Sequence, residues 1–137
     1  MSTKNRILVV DDEPFILRSL SYVLRREGFE VSEARDGEEA LQKIDAVRPD
    51  LVFLDVMMPR LNGYEVLKAI RSNPDLKNCR VFMLTAKGQD ADRERGIAMG
   101  VDEYLTKPFS PHKIVERARS ILKSTDSPST SPGPTRG

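Results

Sequence analysis

The sequence predicts one doubly wound α/β domain in which five parallel strands alternate with five helices. Three observations predict it. Short apolar runs and longer amphipathic segments alternate five times along the chain, as strands joined by helical crossovers do. The central run, Leu51-Val52-Phe53-Leu54, is continuous, as expected of a strand buried on both faces of a parallel sheet. That run ends in a lone carboxylate, Asp55, and Met58-Pro59 closes the segment, so the acid emerges at the carboxyl edge where open α/β sheets place their ligands. With 137 residues the chain is long enough for one such core.

The elements follow in order. Residues 7–10 (Ile-Leu-Val-Val) form the first strand and lead into Asp11-Asp12-Glu13-Pro14. This is a helix start, because proline tolerates the first turn and acids favour its positive end. Ile16, Leu17, Leu20, Val23 and Leu24 recur at helical spacing until Gly28 stops the helix. Residues 30–34 make a short, more polar strand suited to a sheet edge. Asp36 stands as N-cap with Glu39 three positions on, a capping box, and Ala40, Leu41, Ile44 and Val47 continue one helical face as far as Pro49. After the central strand, Asn62-Gly63 reads as a turn, and Val66, Leu67 and Ile70 as a helix broken at Asn73-Pro74.

Residues 80–85 form the fourth strand, ending in Thr85. Residues 89–99 read as a helix with few large apolar side chains, chiefly Ile97 and Met99, which should pack weakly. Gly100 caps it, and residues 102–105 are a short fifth strand running to Thr106-Lys107-Pro108. Ser110-Pro111 opens the last helix, lined inside by Ile114, Ala118, Ile121 and Leu122. The folded domain is expected over residues 1–124. Residues 125–137, rich in Pro, Ser and Thr and lacking apolar side chains, cannot offset the entropy of ordering and read as a disordered tail or linker.

Composition excludes several functions. Twenty-two basic against twenty-one acidic residues leave no bulk field for nucleic acid or an anionic membrane. The one cysteine, Cys79, excludes an intrachain disulfide and a multi-cysteine zinc site, and reads as a free thiol near a strand. His112 has no second ligand for metal binding and reads as an exposed residue of the last helix. No apolar run approaches the ~18 residues of a membrane span, and the amino terminus leads directly into a strand, so a cytoplasmic protein is expected.

The strand ends carry the chemistry. Strand one ends in Asp11 and Asp12, strand three in Asp55, strand four in Thr85 and strand five near Lys107, and a parallel sheet gathers these ends on one edge. Three carboxylates together repel and demand a cation. All-oxygen ligands with places left for water suit magnesium. Three acids against a divalent cation and one lysine sum to neutrality, leaving a site able to receive a dianionic phosphoryl group.

The set Asp11-Asp12, Asp55, Thr85 and Lys107-Pro108-Phe109 resembles the receiver domain of two-component response regulators. The resemblance covers roughly residues 6–123 and extends to Met57-Met58-Pro59 with Gly63, Thr85-Ala86 and Gly100-Val101-Asp102-Glu103-Tyr104. It implies the flavodoxin-like, CheY-like strand order 2-1-3-4-5. It also implies that Asp55 is a phosphoacceptor served by a sensor histidine kinase, a phosphotransfer protein or a small phosphodonor. Asp12 and Asp55 would bind Mg²⁺ with the backbone carbonyl of Met57, and Asp11 through a water. Lys107, aimed by a cis peptide bond to Pro108, would contact a phosphoryl oxygen, and Thr85 would hydrogen-bond the phosphoryl group.

By the same resemblance Tyr104 is a switch residue that changes rotamer with Thr85, although half-buried packing also accounts for it. Met57 and Lys87 flank the site where relatives vary and phosphoryl lifetime varies with them. The output face would be residues 89–123, meeting a downstream effector or a second copy of the chain. Arg93, Asp102, Glu103, Arg117 and Arg119 on it could pair across a symmetric dimer, and they suit an ordinary solvated surface equally well.

The leading expectation is a phosphorylation-controlled switch, standing alone or cut from a longer regulator, that catalyses only its own phosphotransfer and dephosphorylation. A haloacid-dehalogenase-like phosphohydrolase would want a second Asp two residues after the nucleophile, where Met57 stands, and so lacks its proton carrier. A nucleotide-binding domain would want a glycine-rich loop after the first strand, where acids stand instead. A degenerate receiver that binds partners without phosphorylation is disfavoured by the complete acceptor set. Nothing in this chain is expected to contact nucleic acid directly or to enter a membrane.

Overall fold

The structure, a computed structural model, describes residues 5–86 and 93–126. Its elements are β1 (Arg6–Val10), α1 (Pro14–Arg26), β2 (Glu30–Ala34), α2 (Gly37–Val47), β3 (Leu51–Asp55), α3 (Gly63–Arg71), β4 (Arg80–Ala86), α4 (Arg93–Ala98), β5 (Glu103–Lys107) and α5 (Pro111–Asp126), with a 3-10 turn at Pro74–Leu76. Every strand pair is parallel and the sheet order is β2-β1-β3-β4-β5. The doubly wound architecture and strand order are those expected from the sequence.

The two-residue period of a strand divides the core between two layers. Ile7 and Val9 of β1, with Leu51, Phe53, Phe82 and Leu84, face α1 and α5, where Leu17, Leu20, Leu24, Ile114, Ala118 and Leu122 meet them. Leu8 and Val10, with Val52, Leu54, Val81 and Met83, face the other way and are covered by Ala40 and Ile44 of α2 and by Val66, Leu67 and Ile70 of α3. All five residues of β3 are buried, which is why its sequence shows no alternation. β2 lies at the edge and is only partly buried, in line with its polar composition.

The helix starts are set by local chemistry. The Asp36 carboxylate accepts from Glu39 N–H at 2.8 Å, while the Glu39 carboxylate reaches past the N-cap to Arg35 N–H at 2.9 Å. Asn62-Gly63 is more than the turn that the sequence suggests. Asn62 is the N-cap of α3 in a complete capping box with Glu65, and Gly63 is its first helical residue. Ser110 Oγ accepts from Lys113 N–H at 3.1 Å at the start of α5, the serine cap that was expected.

Three stretches depart from the sequence reading or lie beyond it. Of the helix expected over 89–99, residues 93–98 are helical and 89–92 lie outside the described residues. Within α4 only Gly96 is buried, and Ile97 is 59% exposed rather than packed inward. The fifth strand starts one residue later and ends two later than expected, at Lys107, because Thr85 and Ala86 of β4 pair with Thr106 and Lys107. α5 continues through Asp126, and residues 127–137 of the expected tail are not among those described.

One polar network ties the far ends of these elements together. The Asp102 carboxylate accepts from Val81 N–H at 2.7 Å, from Arg71 at 3.0 Å and from Arg80 at 3.2 Å. Arg71 also donates to the carbonyls of Cys79 and Gly100, at 2.7 and 3.0 Å. Forked guanidinium contacts of this kind hold α3, β4 and the turn before β5 in one arrangement. Burial pushes the Cys79 thiol up to about 12, so it stays protonated and inert, as expected of a structural thiol.

Candidate functional site

Asp11 directly follows β1 and Asp55 closes β3, adjacent strands of the sheet, so their side chains meet at the carboxyl edge. Asp11 is fully buried and Asp55 is 5% exposed, while Asp12 stands exposed beside them. Carboxylate oxygens of Asp11, Asp12 and Asp55 lie within 4.8 Å of one another. From the end of β5, Lys107 Nζ reaches Asp11 Oδ2 at 3.0 Å and Asp55 Oδ2 at 3.6 Å. The Lys107–Pro108 peptide bond is cis. The second oxygens are held by backbone: Glu13 N–H donates to Asp11 Oδ1 at 2.9 Å, and Met57 N–H to Asp55 Oδ1 at 3.2 Å.

The electrostatics follow from burial. Desolvation, and then the charge of Asp11, push the Asp55 carboxyl up to about 7, against the pull of Lys107 and of Met57 N–H. Asp11 is also raised, chiefly by burial, with Glu13 N–H and Lys107 opposing. Burial lowers Lys107, but the hydrogen bond to Asp11 and the charges of Asp55 and Asp11 outweigh it and raise the group overall, so it stays an ammonium. One lysine does not compensate two buried acids and a third at the rim. Hard oxygen donors this close, carrying excess negative charge, are a fitting ligand set for a divalent cation such as Mg²⁺.

The other expected site residues are less tightly gathered. Thr85 is buried at the end of β4, and its hydroxyl has no hydrogen-bond partner among the described residues. A buried hydroxyl of this kind is costly unless a ligand completes it. Met57 offers its N–H to Asp55, and the residue is 60% exposed at the rim. Lys87 lies outside the described residues. His112 is exposed, as expected.

Tyr104 points into the core, with its hydroxyl 3.2 Å from that of Tyr64. Arg93 lies over the Tyr104 ring at 4.9 Å, and Arg95 over the Tyr64 ring at 4.6 Å. Gly96 makes room for this pair, since a Cβ there would sit 1.7 Å from the Tyr104 hydroxyl oxygen. The charges expected to pair between copies are engaged within the chain. Arg117 grips Glu103 at 2.6 Å, Asp102 holds Arg71 and Arg80, and Arg119 pairs with Glu27.

Two functional neighbours escaped the sequence reading. Glu13, taken only as a helix-start acid, approaches Lys107 Nζ at 3.5 Å. Tyr64, which no sequence feature singles out, is the partner of Tyr104. A third acid directly after Asp11-Asp12 was the available signal for Glu13, whereas no local pattern marks Tyr64.

A parallel sheet whose carboxyl edge joins three acids to one lysine defines a domain able to hold a cation and an anion side by side. The chain belongs to the response regulator receiver domain family, whose family model matches residues 7–119, and it is therefore a receiver domain of two-component signal transduction. It is 46% identical over 121 residues to the alkaline phosphatase synthesis transcriptional regulatory protein PhoP of Bacillus subtilis, covering 88% of this chain and 50% of that protein. It is 47% identical over 134 residues to the probable transcriptional regulator ycf27 of Cyanophora paradoxa, covering 98% of this chain and 55% of the relative. The chain thus spans about half the length of the curated relatives it matches. Among solved structures, chemotaxis protein CheY4 of Vibrio cholerae matches with a TM-score of 0.82 at 34% identity, over 88% of this chain and all of that one. A CheY-like receiver domain protein from Methanospirillum hungatei matches with a TM-score of 0.85 at 28% identity, over 91% of this chain and 98% of that one.

Proposed function

We propose that the domain is a phosphorylation-controlled switch in which Asp55 accepts a phosphoryl group from a phosphohistidine of a sensor kinase or phosphotransfer protein. The observation that carries this reading is the convergence of Asp55 with Lys107, 3.6 Å away, inside a cluster of three carboxylates. An Asp55 oxygen attacks phosphorus, the P–N bond breaks, and its electron pair leaves with the imidazole. Met57 N–H orients the attacking carboxylate. The Lys107 ammonium pairs with a phosphoryl oxygen as charge builds there, and the Thr85 hydroxyl, without a partner among the described residues, donates to another. Asp11, Asp12, Asp55 and the Met57 carbonyl would hold Mg²⁺, which supplies charge compensation and alignment of the oxygens.

The domain turns over no other substrate. It extends through the end of α5 at Asp126, two residues beyond the boundary expected at 124, and works in the cytoplasm without touching nucleic acid or membrane itself. Phosphorylation is read out when Thr85 turns to the phosphoryl group and Tyr104 changes its place beside α4. Residues 89–123 then engage a downstream effector or a second copy. The regulators it resembles are nearly twice its length, which favours an effector domain as the recipient.

Intact-mass analysis after incubation with acetyl phosphate, with and without Mg²⁺, tests the reading on wild type and Asp55→Ala. A single metal-dependent phosphoryl adduct absent from the variant is the expected result. No adduct on the wild type would leave a phosphorylation-independent binding module. Lifetime follows from the rim, where exposed Met57 hinders the hydrolytic water. Met57→Asn should therefore speed loss of the adduct several-fold, and an unchanged half-life would remove Met57 from any role in lifetime.

A further inference from the structure

We propose that Glu13 is a positioning residue that competes with the incoming phosphoryl group for Lys107. The role presupposes Asp55 as acceptor and goes beyond it, because the acceptor chemistry assigns nothing to Glu13. Lys107 Nζ stands 3.0 Å from Asp11, 3.5 Å from Glu13 and 3.6 Å from Asp55, so an ammonium with three protons faces three carboxylates. Asp11 and Asp55 are buried, whereas the Glu13 side chain is 60% exposed. A phosphoryl oxygen that claims one of the three protons displaces Glu13 most readily, since water receives that carboxylate.

Two features show that Glu13 is placed for this task and not for helix capping. It occupies the N-cap position of α1 with extended backbone, yet its side chain makes no capping hydrogen bond. Short side chains cap well at this position, and a glutamate there gives up that contribution. Its N–H is fixed to Asp11 Oδ1 at 2.9 Å, and Pro14 follows with a restricted φ, so the backbone is anchored to the floor of the site while the carboxylate is free to reach Lys107. The charge balance gives the direction of the effect. Three carboxylates against a divalent cation and an ammonium are neutral, and the fourth, Glu13, leaves the edge negative toward a dianionic donor.

Glu13 therefore restrains phosphorylation in two ways, by occupying Lys107 and by repelling the donor. The test is the rate of adduct formation against acetyl phosphate concentration at saturating Mg²⁺ and fixed ionic strength, followed by the half-life of the adduct. Glu13→Gln should lower KM about two- to fivefold with kcat little changed, the size expected for an exposed ion pair, and lengthen the half-life similarly. Glu13→Asp keeps the charge but is one methylene shorter and loses the contact, so its half-life should follow Glu13→Gln while its KM falls between wild type and Glu13→Gln. If wild type, Gln and Asp variants share one KM and one half-life, Glu13 has no such role and the acceptor reading stands. If Glu13→Asp matches the wild type in half-life while Glu13→Gln does not, charge alone acts and the competition for Lys107 is wrong. A wild type that forms no adduct removes the acceptor reading, and this role with it.

Discussion

Asp55→Asn is expected to make the metal-free domain more stable above neutral pH, even though it removes the proposed acceptor. The carboxyl ionises near 3.8 in the unfolded chain and is raised to about 7 in the folded one, first by burial and then by Asp11. Between those values the folded state holds a proton that the unfolded state has released, so stability falls as pH rises and levels off above the folded value. A raised carboxylate thus contributes stability only at low pH, the reverse of an acid in a favourable ion pair. About three pKa units at roughly 1.4 kcal/mol each set an upper bound near 4 kcal/mol, and relaxation around Asp11 reduces the expected gain to about 2–4 kcal/mol at pH 8. Urea denaturation of both proteins at pH 4, 6 and 8 without metal should show the gap opening between pH 4 and 7. Added Mg²⁺ should narrow it by stabilising only the wild type. Parallel stability curves for the two proteins would mean that Asp55 carries no such burden.

Gly63→Ala should cost about 2–3 kcal/mol of stability, the scale of overpacking against atoms that cannot move aside. A Cβ at this first residue of α3 would lie 2.5 Å from the Asp55 carbonyl oxygen and 2.9 Å from Val56 Cα, both backbone. Relief requires α3 to move off the end of β3, which breaks the bond from Gly63 N–H to Val56 O, now 2.9 Å, and shifts Asp55 itself. Stability and phosphorylation should therefore fall together. Gly28→Ala is the control: its backbone φ is +95° but nothing lies within 4 Å of a Cβ there, so it bears only the conformational cost of about 1 kcal/mol. Equal losses in the two variants by denaturant midpoint would show that the contact under α3 has no consequence.

Much of the fold was legible because it depends on local pattern. Continuous apolar runs marked β3 and β4, and Asp36, Ser110 and the prolines marked helix starts by chemistry that needs no distant partner. The candidate site was legible for a topological reason: parallel strands put their ends on one edge, so Asp11, Asp12, Asp55 and Lys107 could be gathered before any distance was known. What escaped depends on the reach of side chains between elements. Glu13 meets Lys107 across the gap from α1 to the end of β5, and Tyr64 meets Tyr104 across forty positions of sequence. The short α4 was overextended in apolar content, because Ile97 falls on its outer side and buried Gly96 carries no hydrophobic signal. The strand-five boundary slipped because pairing with β4, not composition, decides where β5 ends.

The ion pairs on the α4–β5–α5 side carry a thermodynamic implication of their own. Arg117, Arg119 and Asp102 already have partners in the isolated chain, so joining a second copy through them is an exchange reaction in which each new bond replaces an old one. Such an exchange conserves the number of bonds and nearly conserves their enthalpy, so these pairs alone do not offset the translational and rotational freedom that association costs. A surface of this kind has little intrinsic stickiness, and pairing through it needs a further contribution. Should Tyr104, which rests in the recess left by Gly96, move on phosphorylation as proposed, the resulting displacement of α4 is where that contribution would arise.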